Sequence, residues 1–155
     1  MIDSPEPKQT VATILSLVDG SEPSTRALRA AIDMTKMYGA QLIALSVITA
    51  PSFLPVGTAG SPTDLSAYYE QGTQDSKKAV DDGLKLVDAA GVKSRGEVIE
   101  ASGSTVETIV DFATREKVDI LVMGTRGLGG LKKLVLGSVS SGVVTHAPCS
   151  VLIVR

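Results

Sequence analysis

Apolar residues along this chain follow two rhythms. Short, nearly unbroken runs occur at Val11–Val18 (VATILSLV), Gln41–Ile48 (QLIALSVI), Ile120–Met123 and Ser150–Val154. They are too short for helices and have the continuous apolar character of strands covered on both faces. Between them the apolar and small positions recur every three or four residues. Ala27, Leu28, Ala31, Ile32 and Thr35 form one such stripe within Arg26–Tyr38. Ala79, Val80, Leu84, Val87 and Ala90 form a second, within a helix expected from about Leu65 to Ala90, whose Lys77, Lys78, Asp81, Asp82, Lys85 and Asp88 make a solvated face. Val106, Ile109, Val110 and Ala113 form a third. A fifth strand, weaker and more polar, is expected at Val92–Ile99, where Gly96 interrupts it; that character suits a sheet edge.

Punctuation supports these spans. Ser21 and Pro23 are helix-start signals, and Gly39 is a helix stop. Gly91 closes the second helix. Ser104 with Glu107 three residues later fits a capping box, with Ser102 and Gly103 as other candidate caps. A last helix from about Ser138 to Thr145 ends before Pro148. Five strands alternating with four helices imply an α/β fold, a three-layer doubly wound five-stranded parallel sheet with helices on both faces. The expected organisation is one domain over 1–155, with a flexible lead-in at 1–9 and a long mobile loop at 49–64.

The most informative stretch is Val118–Val144. Its strand runs directly into Gly124, Gly127, Gly129 and Gly130, then a lysine-bearing segment, then Gly137-Ser138 at the start of a helix. Strand, glycine loop and helix N-terminus make a cradle for an anion: glycines admit close approach, and the helix start offers unpaired N–H groups and a positive dipole end. A glycine-rich turn needed only for tight packing is the alternative. The common phosphate motifs do not fit. Gly137 is followed by Ser138 with no lysine of a P-loop, and Lys132 stands where the third glycine of a dinucleotide fingerprint belongs.

Composition narrows the field. The chain has 155 residues, 43% hydrophobic and 21% charged, with a net charge of −2, which describes a packed domain rather than a disordered one. Two Phe, three Tyr and no Trp, without a basic excess, argue against nucleic-acid binding. One cysteine, Cys149, and one histidine, His146, exclude an intrachain disulfide and a Cys/His zinc site, and make a hydrolase triad improbable. His146 suits a helix C-terminus and Cys149 a small core position. The N-terminus carries no apolar signal region and no apolar run reaches membrane-spanning length, so a cytoplasmic protein without membrane insertion is expected.

Open parallel sheets bind ligands beyond the carboxyl ends of their strands, where strand order reverses. Asp19, Val47-Ile48 and Gly124 follow the first, second and fourth strands, and converge if the first and fourth are neighbours. Gly124–Gly130 and Gly137-Ser138 would then offer N–H groups to phosphates, and Arg126, Lys132 and Lys133 would neutralise charge, unless the lysines are ordinary surface residues. Asp19 suits ribose hydroxyls or a Mg²⁺, or else supports the turn that follows it. Val18, Val47 and Met123 could clamp a base, or be plain core.

The spacing Gly124, two residues, Gly127, nine residues, Gly137-Ser138 resembles the ATP-binding branch of the universal stress protein family. ILSLVDGSEPS resembles the family's opening strand and acidic turn, and HAPCSVLIVR its closing segment. The resemblance implies a Rossmann-like fold of the adenine nucleotide α-hydrolase type and a homodimer. It also implies an ATP site, with Mg²⁺ carried by the nucleotide. By it, Leu17, Asp19 and Val47 surround the adenosine. Met123, Gly124, Gly127, Gly137, Ser138 and Val139 complete the nucleotide site, to which the chemistry above adds Val18, Arg126 and Gly130. Ser46 stands where the family commonly has histidine, and Leu17 where it can have proline. The expected function is a nucleotide-dependent stress-response switch, at most a slow ATPase. The alternatives are a nucleotide-independent dimeric scaffold, a binder of AMP or a cyclic adenine nucleotide, and a flavin carrier. The flavin reading is disfavoured because the turn after the first strand is acidic. Dimerisation is expected through 150–154, an apolar strand whose unpaired edge a twin would cover.

Overall fold

A computed structural model of the chain describes residues 11–49, 62–125 and 136–155, with side chains of 62–64 excepted. The lead-in expected at 1–9, most of the loop expected at 49–64, and the glycine cluster at 127–130 lie outside these residues. The described elements alternate throughout: β1 (Thr13–Leu17), α1 (Glu22–Tyr38), β2 (Gln41–Ile48), α2 (Pro62–Ala89), β3 (Ser94–Glu100), α3 (Thr105–Arg115), β4 (Ile120–Gly124), α4 (Ser138–His146) and β5 (Ser150–Val154).

The strands form one parallel sheet in the order β3-β2-β1-β4-β5. β1 is central, with Leu15 beside Ile43 on one side and Leu121 on the other. The adjacency of β1 and β4, expected from fold class, is therefore present, and chain order reverses between them. β3 lies at one edge, as its polar sequence implied, and β5 at the other.

Alternation along the strands sends side chains to two cores. Ile14, Val18, Leu42, Ala44 and Val122 meet Ala27, Leu28, Ala31 and Ile32 of α1 and Val80 and Val87 of α2. Leu15, Ile43, Leu45, Leu121 and Met123 meet Ile109, Phe112 and Ala113 of α3 and Val143 of α4. Full burial of each large aliphatic residue contributes roughly 1.5–3 kcal/mol, so two buried faces, not one, hold the central strands.

The helix ends follow their signals. Ser21 caps α1, its side chain accepting from the Ser24 amide, with Pro23 in the first turn; Gly39 ends the helix at φ 63°. Ser104 caps α3, accepting from the Glu107 amide, which decides among the three candidates. Three boundaries differ from the sequence reading. α2 begins at Pro62 rather than near Leu65, so the expected loop is shorter than 49–64. β3 begins at Ser94 rather than Val92, because Gly91 (φ 69°) and Val92 still belong to the end of α2, where the Val92 amide donates to Val87 O. β1 begins at Thr13 because the Ala12 and Thr13 amides are taken by the Asp119 carboxylate, at 2.8 and 2.9 Å.

Candidate functional site

The βα connections place the starts of α1, α3 and α4 at the carboxyl ends of the strands. There they surround a cavity of about 680 Å³, a size typical of small-molecule sites. Its floor is the ends of β1, β2 and β4: Leu17, Val18 and Asp19; Ser46, Val47 and Ile48; Met123 and Gly124. Ser24 of α1, Thr105 and Ile109 of α3, and the chain entering α4, from Leu136 to Ser140, make the rim. The switch point between β1 and β4 lies within this floor.

The residues expected at the site therefore converge. Leu17, Val18, Asp19, Val47, Met123, Gly124, Gly137, Ser138 and Val139 all line the cavity. Arg126, Gly127, Gly130, Lys132 and Lys133 lie outside the described residues.

Several alternatives left open by the sequence hold together. Asp19 lines the cavity and also builds the turn after β1: its Oδ1 accepts the Ser21 amide at 2.9 Å and the Ser21 hydroxyl at 2.5 Å. Val47 and Met123 line the cavity while packing on the core between the sheet and α3. Gly124 needs its missing side chain for a reason other than ligand approach. A Cβ there would stand 2.9 Å from the backbone carbon of Pro23, so the first turn of α1 already demands glycine.

The segment after β4 leaves and returns at one place. The Gly137 amide donates to Thr125 O at 3.0 Å. The buried Ser140 hydroxyl, in the first turn of α4, bonds the carbonyls of Gly124 and Thr125, both at 3.1 Å. These contacts fix the start of α4 at the end of β4. Gly137 gives that start no side-chain cap, whereas Ser21 and Ser104 cap α1 and α3. The first N–H groups of α4 thus face the cavity rim without a side-chain acceptor from the cap, at the positive end of the helix dipole. Chemically, this rim suits an anion, while Asp19 across the floor suits hydroxyl donors or a cation.

The remaining polar candidates play structural parts. His146 Nδ1 sits 2.9 Å from Gly142 O at the end of α4, away from the cavity. Cys149 is half-buried beside the second core; burial pushes its thiol pKa up, and the Asp119 carboxylate adds to the effect. Among the described residues no group of three or more His, Cys, Asp or Glu could hold a metal ion, and no helix is long and apolar enough to cross a membrane.

One wall of the cavity escaped the sequence reading. Tyr68, Gly72, Asp75 and Ser76 of α2 all line it. Their spacing is helical, and it continues the stripe of Ala79, Val80, Gly83 and Val87 toward the helix start. The only sequence signal is a small and polar extension of an apolar stripe, a pattern that ordinary solvent exposure also produces.

The chain matches the model of the universal stress protein family over residues 10–155. The chain belongs to the universal stress protein family. A universal stress protein of Methanocaldococcus jannaschii is 35% identical over 137 residues, covering 88% of this chain and 78% of that protein. The solved universal stress protein UspA from Lactobacillus plantarum superposes with a TM-score of 0.80 at 27% identity, covering 93% of this chain and 97% of its own. A universal stress protein solved in complex with cAMP superposes with a TM-score of 0.65 at 25% identity, covering 94% and 98%. The Rossmann-like doubly wound α/β fold read from the sequence is thus that of the universal stress proteins, and the cavity stands at its switch point.

Proposed function

We propose that this universal stress protein binds an adenine nucleotide, ATP with Mg²⁺, in the switch-point cavity, and that occupancy sets its state in a cytoplasmic stress response. The observation that carries the reading is the convergence of Asp19, Val47, Met123 and the start of α4 on one cavity. The anion-favouring rim at Gly137 and Ser138 receives phosphates, with Arg126, Gly127 and Gly130 contributing from the loop. Asp19 meets ribose hydroxyls or the nucleotide's Mg²⁺; a single carboxylate plus phosphate oxygens is an ordinary magnesium set. Leu17, Val18, Val47 and Met123 hold the base, and Val139 completes the site beside Ser138. The structural relative in complex with cAMP supports an adenine nucleotide as the ligand class.

Binding is the activity; hydrolysis is at most slow, because the described lining holds no histidine and only two carboxylates, Asp19, which is engaged by Ser21 across the floor from the anion rim, and Asp75 on the α2 wall. The nucleotides released by denaturing freshly purified protein and identified by mass spectrometry test the reading, followed by calorimetric titration with ATP and Mg²⁺, AMP and cAMP. Co-purified or titrated ATP supports it. Tighter binding of AMP or cAMP shifts the ligand, and no binding of any of them overturns it. A hydrolysis rate equal to buffer removes the ATPase.

We also propose a homodimer through β5. The two sheet edges differ in kind. On β3, Arg95 pairs with Glu97 at 2.8 Å and with Glu116, charges that discourage pairing with another strand. On β5, SVLIV carries no charge and leaves Leu152 38% exposed. A monomer mass by light scattering overturns the dimer.

A further inference from the structure

α2 is longer than the sheet it covers. Its 28 residues span about 42 Å, against about 27 Å for the eight residues of β2, the longest strand. The helix ends at Ala89, just before β3 begins at the amino end of the sheet. The excess therefore projects past the carboxyl ends of the strands. On the sheet, the inner face of α2 buries Ala79, Val80 and Val87. Beyond it, the same face meets the cavity through Tyr68, Gly72, Asp75 and Ser76.

Gly72 is the telling residue of this overhang. A glycine inside a helix is about 1 kcal/mol less favourable than alanine, as helix-propensity measurements have it. Other glycines have a packing reason to exist: an added Cβ would stand 2.4 Å from Val80 at Gly96 and 2.6 Å from Val106 at Gly142. Among the described residues, the nearest atom to a Cβ at Gly72 would be Ile48 Cγ2 at 3.5 Å, an ordinary contact, and the backbone is helical. Neither crowding nor backbone conformation calls for glycine there. Among the described residues, its missing side chain leaves room in the cavity between α2 and the end of β2. One turn earlier, Tyr68 lines the same space, is 47% exposed, and meets Tyr69 edge-on at 6.3 Å.

We infer that Gly72 and Tyr68 form a slot for the planar, uncharged end of the ligand. The base lies between α2 at Gly72 and the side chains of Val47 and Ile48, with the Tyr68 ring covering its face. Gly72 acts as a specificity-determining position through its lack of a side chain, and Tyr68 by contact. This inference rests on the nucleotide reading and names which wall of that site recognises the base.

The test is a titration series on the full chain with ATP and Mg²⁺, and in parallel with tripolyphosphate and Mg²⁺, which has no base. Gly72→Leu fills the slot and should weaken ATP at least roughly tenfold, the scale of one lost base-stacking contact. It should leave tripolyphosphate binding unchanged, and its melting temperature should be equal to or above that of the wild type, because leucine is the better helix former. Tyr68→Ala should weaken ATP by roughly fivefold or more, with Tyr68→Phe restoring it. If Gly72→Leu and Tyr68→Ala both bind ATP within twofold of wild type, the slot is wrong while the nucleotide site stands. Equal losses for ATP and tripolyphosphate also overturn it, since the effect then lies outside the base. A wild-type protein that binds no nucleotide overturns the underlying reading, and the slot with it.

Discussion

Two aspartates flank the central pair of strands, one at each end, and they serve opposite purposes. Asp119 precedes β4 at the amino end. Its Oδ2 accepts the Ala12 and Thr13 amides, while its own amide donates to Thr13 O, so the entry to β1 is closed by hydrogen bonds. Asp19 follows β1 at the carboxyl end. It shapes a turn through Ser21 and still lines the cavity. Parallel sheets are asymmetric in this way: one end of the strands is where the chain is tied down, and the other is where helix starts and loops leave room for chemistry. The contrast shows that a carboxylate near a strand end has no fixed meaning until the direction of the strand is known.

Separating the two roles by substitution sharpens the contrast. Asp119→Ala removes the acceptor of two backbone donors, one exposed and one partly buried, and should cost about 2 kcal/mol, the scale of losing a charge-assisted hydrogen bond. Urea denaturation reads that loss, and nucleotide affinity measured well below the melting temperature should not change. Asp19→Asn should show the reverse. Asparagine supports the same turn, so stability should stay within about 0.5 kcal/mol. Affinity for Mg-ATP should fall roughly tenfold, for loss of a charged acceptor. A stability loss at Asp19 equal to that at Asp119 would collapse the distinction.

The smallest effect concerns Cys149, which shares the closed end with Asp119. Burial, and then Asp119, raise its pKa in the folded chain. The unfolded chain therefore releases the thiol proton first. The contribution to stability is complete below the ordinary thiol pKa and is lost as pH rises through that pKa toward the higher folded value. Cys149→Ala should flatten the decline of the urea midpoint over that range; an unchanged decline would assign it to other groups.

Much of this asymmetry was legible in the sequence. Runs such as QLIALSVI are strands because both of their faces are covered, and caps such as Ser21, Gly39 and Ser104 act within a few residues of themselves. The strand ends that meet at the cavity followed from fold class and from the spacing of Gly124 and Gly137. Less legible were features that depend on distant partners. Gly124 looked like a ligand position because Pro23, which requires it, is about a hundred residues away in sequence. The start of β1 depended on Asp119, again across the chain. The α2 wall was overlooked because a polar extension of an apolar stripe looks like solvent exposure until a cavity is known to face it. The α2 start at Pro62 lay hidden in a stretch whose Pro and Gly content reads as loop.

The overhang of α2 also sets a gradient of protection along a single helix. Its later turns lie on the sheet and should exchange their amide hydrogens only with deep unfolding; its early turns have open space beneath them and should open far more often. A molecule seated in the cavity would supply those turns with the contacts that the strands do not reach. The helix then becomes a reporter: deuterium uptake near Gly72 records occupancy, while uptake near Val87 records the integrity of the fold.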